Sequence, residues 1–70
     1  MEIKSHVDSE KLARLNINQS FEYRDVVSDD FPSTQHAEDG ALFKSEVEAG
    51  AYDNVVVSDP GAAHVKYKRI

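Results

Sequence analysis

Hydrophobic and polar residues alternate along three stretches of the chain, which is the pattern of β-strands with one buried face. The alternation runs over residues 1–7, over 21–27 and over 63–68. Residues 54–58 include three consecutive valines and are apolar on both faces, so we expect a central strand there. The pattern predicts a mainly antiparallel sheet of about four strands.

Helix signals occur at two places between these strands. Asp8 or Ser9 can cap a short helix in which two leucines lie three residues apart on one face. Residues 41–49 fit a helix or a strand, and their Ala, Leu, Lys and Glu content, followed by Gly50, favours the helix. The sequence therefore predicts a small α+β domain with one or two short helices, and a mostly β fold is the alternative.

The length of 70 residues allows a single domain, residues 1–70. Residues 28–40 lack apolar periodicity and predict a long loop, of a kind that is often functional or mobile. Phe31 is the large apolar residue of that loop, and it either folds back onto the core or contacts a partner. A chain of this size buries only about 60% of its unfolded surface, and it has no cysteine for disulfides, so we expect stabilisation by a partner chain.

A similar phrase occurs twice, as YRDVVSDDFP from residue 23 and YDNVVVSDP from residue 52. In both copies the valines favour a strand, and Ser-Asp followed by proline favours its end. The second copy continues into Pro60 and Gly61, which suit a type II turn. A second hypothesis is that Asp29, Asp30 and Asp59 converge to bind a hard cation such as Ca²⁺.

The second copy belongs to a longer segment, EAGAYDNVVVSDP at residues 48–60. It resembles the helix–loop–strand units of doubly wound α/β domains, because response-regulator receivers and nucleotide-dependent methyltransferases carry a similar Gly-x-Tyr-Asp before a valine-rich strand. The resemblance implies shared supersecondary structure over about a fifth of the chain. It assigns no functional residue.

The formal charge of −5 is distributed unevenly. Residues 21–60 contain ten acidic against two basic residues, whereas residues 61–70 contain three basic residues, namely Lys66, Lys68 and Arg69. The acidic middle disfavours nucleic acid and anionic membranes as direct partners and favours basic protein surfaces or cations. Lysines in the last strand suggest protection of a sheet edge, or pairing with an acidic patch on another copy of the chain.

Candidate chemistry is sparse. His6, His36 and His64 are far apart in sequence, with none of the spacings of a zinc site, and they are interpreted as surface residues. We predict no catalytic residue, no metal and no cofactor. The longest aliphatic run has three valines, far short of the about 20 residues that cross a bilayer, and no secretion signal is visible. A cytoplasmic or virion-associated location is therefore expected.

The leading hypothesis is a non-enzymatic interaction or structural accessory module that docks onto a larger assembly, for example as a capsid-cementing or head–tail component of a virus or phage. Its partner is another protein or, in a homo-oligomer, a second copy of the chain, reached through aromatic and charged residues or an open sheet edge. The predicted partner-binding residues are Phe31, Tyr23, Asp29, Asp30, Glu38, Asp39, Lys66, Lys68 and Arg69.

The alternative hypothesis is a small acidic inhibitor that mimics the charge of DNA and occupies a basic groove. A mimic needs its carboxylates on one exposed face. The acids it would use are Asp29, Asp30, Glu38, Asp39, Glu46, Glu48 and Asp53. A metal-dependent enzyme is a third class, less consistent with so small an interior.

Overall fold

The computed structural model describes residues 5–70 and has an α+β fold, in which helices cover one face of an antiparallel sheet. The elements in chain order are α1 (Ser9–Ala13), β1 (Ser20–Glu22), α2 (Tyr23–Val26), a 3₁₀ turn (Ser33–Gln35), α3 (His36–Glu48), β2 (Val55–Asp59) and β3 (Lys66–Arg69). The predicted fold class is confirmed, with three strands in the described residues rather than about four.

The sheet has the order β1-β3-β2, and β3 runs antiparallel to both neighbours. Tyr67 of β3 lies opposite Phe21 on one side and Val57 on the other. The prediction that residues 54–58 form the central strand is wrong, because β2 lies at an edge. Its valines divide between the two faces: Val55 is buried, whereas Val56 faces away from the core.

The predicted strand over residues 21–27 is also wrong beyond Glu22, where the chain turns into the helix α2. The side chain of Asp25 accepts a hydrogen bond of 2.9 Å from the backbone N–H of Glu22 and so stabilises the first turn of that helix. Val27 then forms an isolated bridge with Val7. A strand was predicted over residues 1–7. Its first four residues lie outside the described range, and among residues 5–7 only Val7 takes part in β pairing, through this bridge.

Residues 41–48 are helical, as the composition favoured, and Ala49 is the C-cap, but α3 begins earlier than predicted, at His36. The segment predicted as a loop over residues 28–40 is therefore irregular only as far as Pro32, because the 3₁₀ turn leads directly into α3. The helix ends before Gly50, which has φ 81°. Glycine adopts this left-handed conformation without steric cost, so its predicted role as the helix stop is confirmed.

The turn after β2 differs from the predicted type II turn. Gly61 is not among the glycines with positive φ, which a type II turn requires at this position. Its N–H instead donates to the Asp59 side chain at 3.2 Å, as in an Asx-turn.

The core lies between α3 and the inner face of the sheet. Phe43 of α3 and Tyr67 of β3 are almost fully buried. Their ring centroids lie 4.8 Å apart, with an interplanar angle of 60°. This is a favourable edge-on arrangement of aromatic rings. Burial raises the pKa of Tyr67 to about 12, so its hydroxyl is neutral in the folded protein. The buried hydrophobic residues that complete the core cluster are Leu12, Phe21, Val26, Val47 and Val55.

Replacing Gly40 by alanine is expected to stabilise the protein by about 0.5–1 kcal/mol, because Gly40 lies inside α3 and alanine is the better helix former. An added Cβ would lie 3.5 Å from the nearest atom of the Tyr23 ring, an ordinary van der Waals contact. Urea unfolding followed by circular dichroism measures the change. Gly50→Ala is the matched control: it should be destabilising, because alanine is strained at φ 81°. A loss of stability in Gly40→Ala would contradict the prediction.

Candidate functional site

Asp39 is a buried carboxylate in the first turn of α3, with only 6% of its surface exposed. It accepts hydrogen bonds from the backbone N–H and from Nδ1 of His6, both at 2.8 Å, and from the hydroxyl of Tyr23. The cluster joins the segment before α1 to α2 and α3. An ionised carboxylate only accepts hydrogen bonds, so Nδ1 of His6 carries the proton in this pair.

The hydrogen bonds decide the charge of this cluster. Burial by itself would raise the pKa of Asp39, but the hydrogen bonds from His6 and Tyr23 outweigh it and hold the pKa below the ordinary carboxyl value. Burial, and then the adjacent Asp39, raise the pKa of the Tyr23 hydroxyl. At neutral pH the pair is therefore a carboxylate and a neutral phenol. Both carboxylate oxygens of Asp39 accept hydrogen bonds within the domain, as is typical of a carboxylate that stabilises the fold.

Phe31 is stacked between two histidines that are thirty residues apart in sequence. The centroid of its ring lies 4.0 Å from the ring centroid of His6 and 5.9 Å from that of His36, and the interplanar angles are 15° and 2°. Phe31 therefore folds back onto the domain, the first of the two placements considered for it. Tyr23 is also engaged internally, since its hydroxyl binds Asp39 and its ring lies near Phe43.

The predicted acidic residues do not share one exposed face. Asp29 is exposed and pairs with Lys11 at 2.5 Å, and Asp30 and Glu38 are exposed. Glu46, by contrast, is half-buried and accepts hydrogen bonds from Ser5 and Tyr52. Together with the burial of Asp39, this removes two of the seven carboxylates that a mimic of DNA would use.

Residues 5–70 show neither a cation site nor a membrane-spanning helix. No group of three or more His, Cys, Asp or Glu side chains in that range is placed to hold a metal ion. The hypothetical site of Asp29, Asp30 and Asp59 is therefore not assembled. In the same range no helix is long and apolar enough to cross a bilayer; α3, the longest, has 13 residues against the about 20 required.

The basic residues near the C-terminus lie in the central strand. The interpretation of Lys66 and Lys68 as edge protection is wrong, because β3 has a neighbour on each side. Successive side chains of a strand point to opposite faces, so Lys66 and Lys68 lie on the face opposite Tyr67, and Arg69 lies on the same face as Tyr67. Lys66 contacts Glu22 at 3.4 Å.

The outer sheet face, as we name the surface formed by Val56, Lys66, Lys68 and Ile70, is the side of the sheet turned away from α3. Val56 lies opposite Lys68, and Ile70 donates its N–H to the carbonyl of Asn54 at 2.9 Å. Val56 and Ile70 are 39% and 50% exposed. The register also places Ser20 and Glu22 of β1 on this face, opposite Lys68 and Lys66. The surface therefore combines large apolar side chains with two lysines and one carboxylate.

Another exposed apolar residue lies near the C-terminal end of β3. Ile17, 70% exposed, precedes Asn18, whose N–H donates to the carbonyl of Arg69. Among the described residues, Ile17, Val56 and Ile70 are the large hydrophobic side chains that are exposed. None of the three was among the partner-binding residues predicted from the sequence, although extending the alternation of Lys66 and Lys68 by two residues would have placed Ile70 on their face.

No protein-family model, no curated protein and no solved structure matches this chain. What indicates a functional surface is therefore the exposure, strand register and charge of the outer sheet face.

Proposed function

We propose that the protein is a non-enzymatic interaction module that docks onto a protein partner through the outer sheet face. The observation that supports this most directly is the exposure of Val56 and Ile70 on the side of the sheet turned away from α3. Apolar side chains grouped at a surface are typical of interaction sites, because association removes them from water.

The charges of this surface indicate the chemistry of the partner. The chain carries a formal charge of −5, yet the outer sheet face presents Lys66 and Lys68. The contact of Lys66 with Glu22 is long and half-exposed, so water and salt weaken it. The complementary partner has an apolar patch bordered by carboxylates. Such complementarity contributes mainly to orientation and to the rate of association.

Two kinds of partner fit this description. One is a larger assembly, for which a capsid-cementing or head–tail role in a virus or phage is the example. The other is a second copy of the chain, because exposed acids such as Asp30 and Glu38 could meet the lysines of the outer sheet face. The acidic-inhibitor alternative is less well supported, because Asp39 and Glu46 are committed to internal hydrogen bonds.

The test is site-specific photocrosslinking with a benzophenone amino acid at Val56, using the full chain in a lysate of its source cells. We expect a crosslinked species from this position and none from Ala13, an exposed control position on α1. Light scattering of the purified chain over a concentration series shows whether that species is a self-complex.

Two substitutions then define the surface. Lys68→Glu and Val56→Thr are each expected to weaken binding by about tenfold, since they change charge and apolar contact at the centre of the surface. Their unfolding free energies should change by about 1 kcal/mol or less. Equal crosslinking from Val56 and Ala13, or binding unaffected by both substitutions, would rule out this surface.

A further inference from the structure

A groove lies between α2, α3 and the segment that leads into β3, and Glu22 is at the boundary between this groove and the outer sheet face. Its volume is about 560 Å³, within the range of roughly 300–1,000 Å³ that is usual for ligand sites. The floor on α3 is formed by Ala37, Gly40 and Ala41, which share one face of the helix with Lys44. Val65 forms part of the facing wall. The small side chains leave room above an apolar floor.

The charge of the groove is opposite to that of the protein. Arg24 and Lys44, the two basic residues among positions 21–60, both line it, together with two histidines. Glu22 is the acidic residue of its lining in the described part of the chain, so Arg24, Lys44 and Glu22 sum to +1 with the histidines neutral. This local excess of positive charge lies in a chain of formal charge −5.

The single carboxylate of the groove is already shared between two cations. Glu22 lies 3.3 Å from Nε of Arg24 and 3.4 Å from Nζ of Lys66, which is outside the groove lining. Among residues 5–70, no carboxylate lies within ion-pair distance of Lys44. Lys44 is therefore a cation at the margin of an apolar concavity without a described anionic partner.

We propose that this groove binds an organic carboxylate whose short apolar body lies against Ala37, Gly40 and Ala41 and whose charge is recognised by Lys44 and Arg24. The apolar floor contributes by excluding water from the hydrocarbon part of the ligand, and the cations select its charge. The occupant we infer is a free small organic acid, because the volume of about 560 Å³ matches a small-molecule site.

The experiment compares three six-carbon probes of equal length. Hexanoate, hexanol and hexylammonium are titrated separately into the isotopically labelled full chain, and backbone amide shifts are recorded by NMR. We expect saturable shifts around Ala37, Ala41 and Val65 with hexanoate, weaker ones with hexanol and none with hexylammonium. An acetylated, amidated pentapeptide with one glutamate between leucines forms a second arm, which distinguishes a peptide carboxylate from a free acid.

Two variants and one control connect the shifts to the groove. Lys44→Gln should weaken hexanoate binding by about twofold to fivefold, as expected for loss of one partly exposed ion pair. Ala41→Leu should weaken it by filling the floor without a change of charge. Lys68→Gln, on the outer sheet face, should leave hexanoate binding unchanged. Lys44→Gln should leave protein docking unchanged. The two proposals can therefore be tested separately. Equal response to hexylammonium, the absence of saturable shifts with hexanoate, shifts with the peptide alone, or an equal loss in Lys68→Gln would overturn the proposal.

Discussion

Replacing Asp39 by alanine is expected to lower the free energy of unfolding by about 3 kcal/mol, because buried hydrogen bonds to a charged group lose their acceptor together. The Tyr23 hydroxyl and the backbone N–H of His6 would be left without the carboxylate that they bind. For a chain of 70 residues, total stability is roughly 4–10 kcal/mol, so this is a large fraction. Urea unfolding followed by circular dichroism measures the loss.

Two milder variants separate the contributions. Tyr23→Phe removes one donor and should cost about 1 kcal/mol, and Asp39→Asn should lie between this value and the alanine variant. A loss below about 1 kcal/mol in Asp39→Ala would mean that water replaces the carboxylate at little cost.

The same carboxylate makes stability depend on pH in a defined direction. Its pKa is lower in the folded chain than the ordinary value of 3.8, so folding favours the ionised form. This contribution is fully present above the unfolded pKa and is lost as pH falls through the lower, folded pKa. The stability difference between the wild type and Asp39→Asn should therefore shrink below about pH 4. A difference that is constant from pH 6 to pH 3 would contradict this assignment.

Replacing Phe43 by alanine is expected to cost about 4 kcal/mol, since the side chain is fully buried and its removal leaves a cavity in the core. The ring contacts three tyrosines, at positions 23, 52 and 67. We expect the variant to be largely unfolded at 37 °C, as measured by thermal denaturation and by loss of near-ultraviolet circular dichroism.

Phe43→Leu retains most of the volume and should cost less than about 1.5 kcal/mol if neighbouring side chains repack. Ile17→Ala, a change at a position that is 70% exposed, should alter stability by less than about 0.5 kcal/mol. If Phe43→Ala and Ile17→Ala melted at the same temperature, the assignment of the core would be incorrect.

The elements that the sequence predicted well depend on interactions within a few residues. Asp8 caps α1 by accepting from the N–H of Glu10, and Gly50 ends α3, because capping and left-handed backbone conformations are local properties. The alternation around Tyr67 likewise predicted a strand, and β3 occupies Lys66–Arg69. A strand was predicted over residues 21–27, but the chain is helical after Glu22. There the side chain of Asp25 accepts a hydrogen bond from the backbone N–H of Glu22, which competes with strand pairing.

The candidate site was predicted less well than the fold. Lys66 and Lys68 were identified as binding residues and lie on the outer sheet face, but Val56 and Ile70 were not. A run of valines indicates burial without indicating which valine faces solvent. That depends on the strand's neighbours, and β2 has only one in the described sheet.

The sequence by itself determined the fold class, the N-cap of α1, the C-terminal end of α3 and the uneven charge, because periodicity, capping and composition are readable along the chain. The tertiary structure alone decided that His6 meets Asp39 across 33 residues, that Phe31 lies between two histidines, and that Arg24 and Lys44 line one groove. These contacts join residues that are far apart in sequence, and no helical or strand periodicity predicts that such residues meet. They form only when burial of the core brings α2, α3 and the sheet together.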